Sequence, residues 1–282
     1  MEIIIGENSG FCAGVKYTIQ KSEEFAKEKK NIYCLGQLVH NERVIEDLEK
    51  KGIIFVQEIE EIPNNSIVIF RAHGETQDKY NKAKEKKLEI RDLTCGKIVA
   101  IRKKIEEYKE DYAIVILGKK DHPETIGTYS YAGDNANIIE EIEDIENVIK
   151  NISKNKIYIV SQTTFSSEKF DKIVDIIKEN YKGTIIVNKT ICNATEKRQE
   201  ETKTLATQVN KMIIIGGKNS SNTKELYNIS KKIQEKTFLI QDYHDLEREE
   251  FNKNDRVGIM AGASTPRIIT EEVIKFLKEE KA

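Results

Sequence analysis

An α/β fold of three similar small domains in a pseudo-three-fold arrangement is what this 282-residue sequence predicts. Three observations predict it. Strand-like β-branched runs alternate with charged amphipathic segments along the whole chain. One series of elements recurs three times. In every copy, thiol or polar side chains follow the carboxyl ends of strands, where open α/β sheets bind ligands. Alternation by itself is common to doubly wound proteins, so the matched placement of chemistry-bearing residues is what adds weight. Three such units with their strand ends and helix N-termini facing a common centre would collect one Cys from each.

Taken in order, the series opens with a strand, a Cys and a helix, over residues 2–28, 88–110 and 183–208. Each Cys ends a β-branched run and begins an amphipathic segment. A strand and polar loop follow, reading NIYCLGQLVHNE, YAIVILGKKDHPE and KMIIIGGKNSSN. His40 lies 28 positions after Cys12, His122 lies 27 after Cys95, and Ser220 lies 28 after Cys192, which marks them as equivalent places. A second strand and loop complete the series as SIVIFRAHGE, KIYIVSQTTFSS and RVGIMAGASTP. Each leads into a helix with Ser, Thr, Glu or Pro suited to a first turn. The polar residues of this second loop are His73, Thr163 and Ser264.

The bulk composition narrows the function classes. Apolar residues make up 38% and charged residues 33%, a globular composition with its charge spread over helix faces. A net charge of -2 offers no single-sign field for nucleic acid or an anionic membrane, and neither is an expected partner. The beginning, MEIIIGENSG, lacks the basic flank and long apolar core of a signal peptide, and no apolar run approaches a membrane span. A cytoplasmic location is expected. In a reduced compartment four cysteines point to ligation or catalysis rather than disulfides. Cys34, within the strand-like run Ile32-Tyr33-Cys34-Leu35, is read as core.

The stretch Ser9-Gly10-Phe11-Cys12-Ala13-Gly14-Val15 sets a thiol between two glycines at the head of a helix. The glycines make room for a bulky ligand, and the helix N-H groups favour thiolate over thiol. No CxxC or HxxxH pair supports structural zinc. Cys12, Cys95 and Cys192, separated by 83 and 97 positions, suit a cubane cluster held at three corners, with its fourth iron open to act as a Lewis acid. On the residues alone, a mononuclear zinc with three cysteine ligands and a water stays open. The loops supply an anion site: His40, His73 and His122 sit at matched strand ends, and the loops 218–222 and 261–266 could cradle a phosphate or diphosphate with hydroxyls, an amide and backbone N-H groups. Glu124, beside Pro123, is the carboxylate within these loops that fits a proton donor, its pKa raised in a closed cavity beside an anionic ligand. Thr163 would orient a substrate hydroxyl or relay the proton. His244 matches none of these loops and is read as solvated.

These residues resemble the 4-hydroxy-3-methylbut-2-enyl diphosphate reductase family, which completes the methylerythritol phosphate route to isoprenoids. The resemblance spans the chain and is carried by GFCAGV, LVHN, RAHG, DLTC, HPE, SQTT, ICNAT, KNSSN and AGAS. It implies a [4Fe-4S] cluster on Cys12, Cys95 and Cys192, with Cys34 outside the pattern. It implies substrate contacts from His40, His73, His122, Thr195, Ser220, Ser221, Asn222 and Ser264, and proton delivery through Glu124 with Thr163. By the same resemblance, ferredoxin or flavodoxin supplies two electrons singly, water is expelled, and protonation at either end of an allylic intermediate gives isopentenyl or dimethylallyl diphosphate. The implied fold has three α/β domains around the iron-sulfur cluster, over residues 14–96, 97–193 and 194–282, with strand 1–13 packing on the last. Two other readings are a redox-neutral cluster hydratase, disfavoured by the absence of an arginine cluster in the loops, and an iron-sulfur sensor that binds a phosphorylated metabolite without turnover. A sensor would not need Glu124.

Overall fold

The structure is a computed structural model that describes residues 1–28 and 31–279. The last three residues of the expected third domain therefore lie outside the described residues. Two compact units emerge: a smaller one of residues 1–17, 39–47 and 193–282, and a larger one of residues 18–38 and 48–192.

The smaller unit holds one four-stranded parallel sheet. Its strands are β1 (Glu2–Ile5), β10 (Lys211–Ile215), β11 (Thr237–Ile240) and β12 (Arg256–Ala261), in the order β1-β12-β10-β11. The first strand of the chain thus pairs with the last, Ile3 opposite Val257 and Ile5 opposite Ile259. Its helices include α8 (Asn193–Gln208), α9 (Ser221–Ile233) and α10 (Arg267–Lys278). Helix α10 lays Ile269, Val273 and Leu277 against Ile213, Ile215 and Ile259, an i, i+4, i+8 stripe on a sheet face.

The larger unit holds two sheets of the same kind. One is built from β2 (Ile32–Leu35), β3 (Ile53–Val56), β4 (Ile67–Phe70) and β5 (Glu89–Asp92), ordered β3-β2-β4-β5, with α3 (Gln77–Glu85). The other is built from β6 (Ala113–Leu117), β7 (Ala136–Ile139), β8 (Lys156–Ser161) and β9 (Thr184–Val187), ordered β7-β6-β8-β9, with α4 (Gly96–Tyr108), α5 (Pro123–Tyr129), α6 (Asp144–Asn151) and α7 (Ser167–Asn180). Helices α1 (Ala13–Ala26) and α2 (Glu42–Lys50) have residues in both units.

The physical logic of the three sheets is shared. Central strands such as IVIF in β4 and AIVIL in β6 are buried throughout, as parallel strands covered on both faces must be. The strands that lead to Cys12, Cys95 and Cys192 are the edge strands β1, β5 and β9, each half-buried in its middle and exposed at both ends. Each sheet therefore closes on a strand that points toward a thiol, and β1 does for the third sheet what β5 and β9 do for the other two. The opposite edges, β3, β7 and β11, have no counterpart in the series read from the sequence. They are short runs whose following loops carry no Cys and none of the matched polar residues, so nothing in the motif pattern flagged them. Among the described residues, no helix is long and apolar enough to cross a membrane.

Candidate active site

In the larger unit, the strand ends bring six expected residues to defined places. The turn after β4 carries His73, and Cys95 lies beneath it, its N-H donating to the Ala72 carbonyl at 2.9 Å. Cys95 is also the N-cap of α4. His122 caps α5: its Nδ1 accepts the Glu124 N-H at 3.1 Å. A neutral His122 in this arrangement keeps its proton on Nε2 and offers it as a donor. The His73 and His122 rings meet edge to face, 5.5 Å between centroids.

Glu124, in the first turn of α5, is 3% exposed. One carboxylate oxygen accepts the Thr163 N-H at 2.6 Å and the other accepts the Thr163 hydroxyl at 2.8 Å. Burial pushes the Glu124 carboxyl above the ordinary carboxylate range, while both Thr163 hydrogen bonds and the Arg102 charge pull it back down. Enclosure in the fold is thus enough to raise it. The Thr163 carbonyl in turn accepts the Cys192 N-H at 2.9 Å. One continuous chain thus runs from Glu124 through Thr163 to a thiol-bearing residue.

In the smaller unit, Cys12 follows a turn at Gly10, whose φ of +87° strains any side chain with a Cβ. The Cys12 N-H donates to Ala263 at 3.2 Å, and its Sγ accepts the Val15 N-H at 3.4 Å from the first turn of α1. Ser264, next to Ala263, donates its hydroxyl to the His40 carbonyl at 3.3 Å. The same carbonyl comes so close to Gly217 that a Cβ there would lie 2.1 Å from it, so the 216–222 loop can pack on His40 only with glycine at 217. Ser220 caps α9 through the Thr223 N-H at 3.3 Å. Ser221 and Asn222 are buried in the first turn, and Thr195 is buried in the first turn of α8. Among the described residues, neither polar atom of the Asn222 amide has a hydrogen-bond partner. A buried amide left so costs free energy that an anionic ligand with its own donors and acceptors would recover.

The four cysteines divide cleanly. Cys12, Cys95 and Cys192 are partly exposed, each at the start of a helix. Cys34 is fully buried in β2, and burial pushes its thiol up to about 12. Partly exposed thiols at helix N-termini are a donor set that fits an iron-sulfur cluster, and Cys34 is not part of it. His244 stands apart on the surface, bonded to Asp242.

Sequence reading missed several residues that hold these loops. Glu201 accepts the Asn8 N-H at 2.8 Å and also binds the Glu7 N-H, and Arg198 donates to the Gly10 carbonyl at 2.6 Å. Both lie on α8 and fix the loop before Cys12. In the larger unit, Gln162 accepts the Lys119 N-H at 3.1 Å, and Arg102 donates to the His73 carbonyl at 3.4 Å. A signal existed for the arginines. Arg102 falls on the buried stripe Ile98, Ile101, Arg102, Ile105, and Arg198 on the stripe Thr195, Arg198, Gln199, Thr202. A charge on the inward face of a helix is rarely idle.

Parallel sheets with thiols, a buried carboxyl and polar helix N-termini at their strand ends define the class: an α/β oxidoreductase. More particularly, the chain belongs to the LytB protein family, whose sequence model matches residues 3–278. It is 40% identical over 286 residues to the 4-hydroxy-3-methylbut-2-enyl diphosphate reductase of Caldanaerobacter subterraneus subsp. tengcongensis, covering 100% of this chain and 98% of that one. It is 40% identical over 280 residues to the enzyme of the same name from Clostridioides difficile, covering 99% of both. Among solved structures, the E-1-hydroxy-2-methyl-but-2-enyl-4-diphosphate reductase of Plasmodium falciparum matches with a TM-score of 0.93 at 31% identity, over 99% of this chain and 88% of that one. A structure of (E)-4-hydroxy-3-methyl-but-2-enyl diphosphate reductase, described as the terminal enzyme of the non-mevalonate pathway, matches with a TM-score of 0.71 at 39% identity, over 99% of this chain and 100% of that one.

Proposed function

We propose that this chain is an oxidoreductase of isoprenoid biosynthesis that converts 4-hydroxy-3-methylbut-2-enyl diphosphate to isopentenyl and dimethylallyl diphosphate. The observation that carries the reading is the buried Glu124 carboxyl, hydrogen-bonded twice to Thr163, whose carbonyl holds the Cys192 N-H. That chain couples a proton source directly to a metal-ligating segment. In the overall step two electrons and two protons are taken up: the C–O bond breaks, one proton leaves with the hydroxyl as water, and the other forms the new C–H bond.

Cys12, Cys95 and Cys192 hold a [4Fe-4S] cluster, and Cys34 does not. When bound, the cluster supplies single electrons and a Lewis-acidic iron. The chain's own residues do the rest. His40, His73, His122, Thr195, Ser220, Ser221, Asn222 and Ser264 bind the diphosphate end, with imidazole, hydroxyl, amide and helix N-terminal donors suited to a dianion. Glu124 is kept protonated by burial at pH values where an exposed carboxyl is ionised, which is what a proton donor near neutral pH requires. The Thr163 hydroxyl, 2.8 Å from Glu124, exchanges donor and acceptor roles as that proton moves, and so passes it on. Ferredoxin or flavodoxin delivers the electrons. A cytoplasmic location fits this reading, as does a division into domains 14–96, 97–193 and 194–282 with strand 1–13 on the last. The three sheets support that division, since each closes on a strand leading to a Cys.

Anaerobic reconstitution with iron and sulfide, then turnover with a reduced dye and the allylic diphosphate, tests the reading. Consumption of reductant with formation of both products is expected. Substrate binding with no reductant consumed would leave the chain a sensor and remove the reductase. In the same preparations Cys34→Ser should hold as much iron as the wild type; loss of iron would put Cys34 among the ligands.

A further inference from the structure

We propose that Arg102 is a positioning residue that clamps the His73 turn to the helix carrying Glu124 and holds a fixed positive charge beside that carboxyl. The inference deepens the function proposed above and rests on it.

The geometry is confined to the larger unit. Arg102 lies two turns into α4, the helix that Cys95 caps, and is 5% exposed. Its Nη2 donates to the His73 carbonyl at 3.4 Å, and its guanidinium lies 4.8 Å from the centre of the Tyr131 ring. Two glycines make room for it. A Cβ on Gly74 would come within 2.6 Å of Nη1 and Nη2, and a Cβ on Gly127 within 2.4 Å of Nη2. Gly74 belongs to the RAHG turn and Gly127 to α5, one turn after Glu124. The guanidinium thus fills a slot bounded by the two segments that bear His73, His122 and Glu124. A planar, permanently charged group with a soft hydration shell tolerates such a slot better than any other cation.

Among the described residues Arg102 makes no ion pair with a carboxylate, so its charge acts on the groups around it. The groups around it come from each neighbouring element: Glu124 and the capping His122 from the α5 segment, His73 from the turn after β4, Tyr80 from α3, and Asp92 from β5, which accepts the Tyr80 hydroxyl at 2.6 Å. The end of β8 contributes the neutral Thr163. Arg102 draws down the proton affinity of both Glu124 and Tyr80. Burial raises the proton affinity of Glu124, and the two Thr163 hydrogen bonds and the arginine charge limit that rise. In the opposite direction, the clamp on the His73 carbonyl fixes the turn whose ring packs on His122.

The test uses reconstituted holoenzyme carrying Arg102→Gln, Arg102→Lys or Gly127→Ala, with two readouts. One is the alkaline limb of kcat/KM against pH. The other is the infrared C=O band of protonated Glu124, identified by its absence in Glu124→Gln and titrated in resting protein, so that it reads proton affinity with or without turnover. Loss of the arginine charge should move both midpoints up by about one pH unit. Gly127→Ala, which displaces the guanidinium while keeping it, should move them the same way by less, and Arg102→Lys should restore the wild-type midpoint with weaker substrate binding. A purely structural arginine would lower iron content or stability and leave the midpoints in place, and that result in either Arg102→Gln or Gly127→Ala overturns the proposal. Should the wild type consume no reductant, the function proposed above fails on its own, while the infrared midpoints still decide the role of Arg102.

Discussion

The Glu124–Thr163 pair and the Asn222 turn are both buried and both polar, yet they stand in opposite states. Glu124 and Thr163 satisfy each other: two hydrogen bonds of 2.6 and 2.8 Å leave neither carboxylate oxygen without a donor. Asn222, at 3% exposure, has an amide with no partner for either atom among the described residues. Burial of a satisfied pair is affordable and adjusts a pKa; burial of an unsatisfied amide is a standing cost that only a ligand removes. The first is a group prepared for proton transfer, the second a group prepared for binding. Substitutions should therefore separate turnover, affinity and stability cleanly between the two places.

The largest effect belongs to Glu124→Gln. The amide keeps the shape and can still accept the Thr163 N-H, but it has no proton to give, so turnover should fall by about 10²- to 10⁴-fold with iron content and substrate affinity nearly unchanged. Near-normal turnover in a steady-state assay would remove Glu124 from the proton route. The same variant carries a pH signature. A carboxyl whose folded pKa is raised keeps its proton when the unfolded chain, near 4.5, has lost it. Wild-type stability should be unaffected by this group below that value and should decline as pH rises from there through the raised folded value. Glu124→Gln should abolish that decline, which urea midpoints measured across the range would register.

The next effect belongs to Asn222. Replacement by the near-isosteric leucine removes a buried amide that makes no bond, so the stability of the substrate-free protein should hold steady or rise by about 1 kcal/mol. Substrate affinity should meanwhile drop about tenfold, the loss of roughly 1.4 kcal/mol of ligand contact. Binding calorimetry with the allylic diphosphate and urea melts of the free protein separate the two terms. A stability loss with unchanged affinity would mean that the amide supports the fold instead of the ligand.

The sequence made the second member of the comparison easier to read than the first. KNSSN and AGAST announce helix N-termini through their residue types, and the near-equal spacing from each Cys marks the first of them, at Ser220, as a strand end. The order of each sheet was less legible. β1 joins β12 across nearly the whole chain, and a repeat read along the sequence says nothing about which sheet an edge strand enters. The arginines were hidden for a different reason. Arg102 and Arg198 sit inside charged helices rich in Lys and Glu, and only their position on the buried stripe distinguishes them from solvated neighbours. Identity and spacing expose a loop residue, whereas a buried charge on a helix is exposed by what packs against it.

The smallest effect, and the sharpest for the comparison, comes from Ser220, two positions before Asn222 and in the same turn. Its hydroxyl is already engaged: it accepts the Thr223 N-H at 3.3 Å and caps α9, a 13-residue helix. Removing an N-cap of this kind exposes one of the helix's orphan N-H groups and typically lowers stability by about 1 kcal/mol. Ser220→Ala should therefore destabilise the substrate-free protein by that amount, where the change at Asn222 does not. Its effect on affinity should be smaller than that at Asn222, because the hydroxyl, whose oxygen accepts the cap N-H, offers a ligand a single donor, whereas both atoms of the Asn222 amide are open to one. Replacement by Asp, a strong cap with no hydroxyl proton, then completes the test: stability should return to the wild-type value and diphosphate affinity should fall below that of Ser220→Ala, since a carboxylate faces the same anion. If Asp at 220 instead restores affinity, the turn does not receive an anionic group, and the contrast between a group spent on the fold and one kept for the ligand does not hold there.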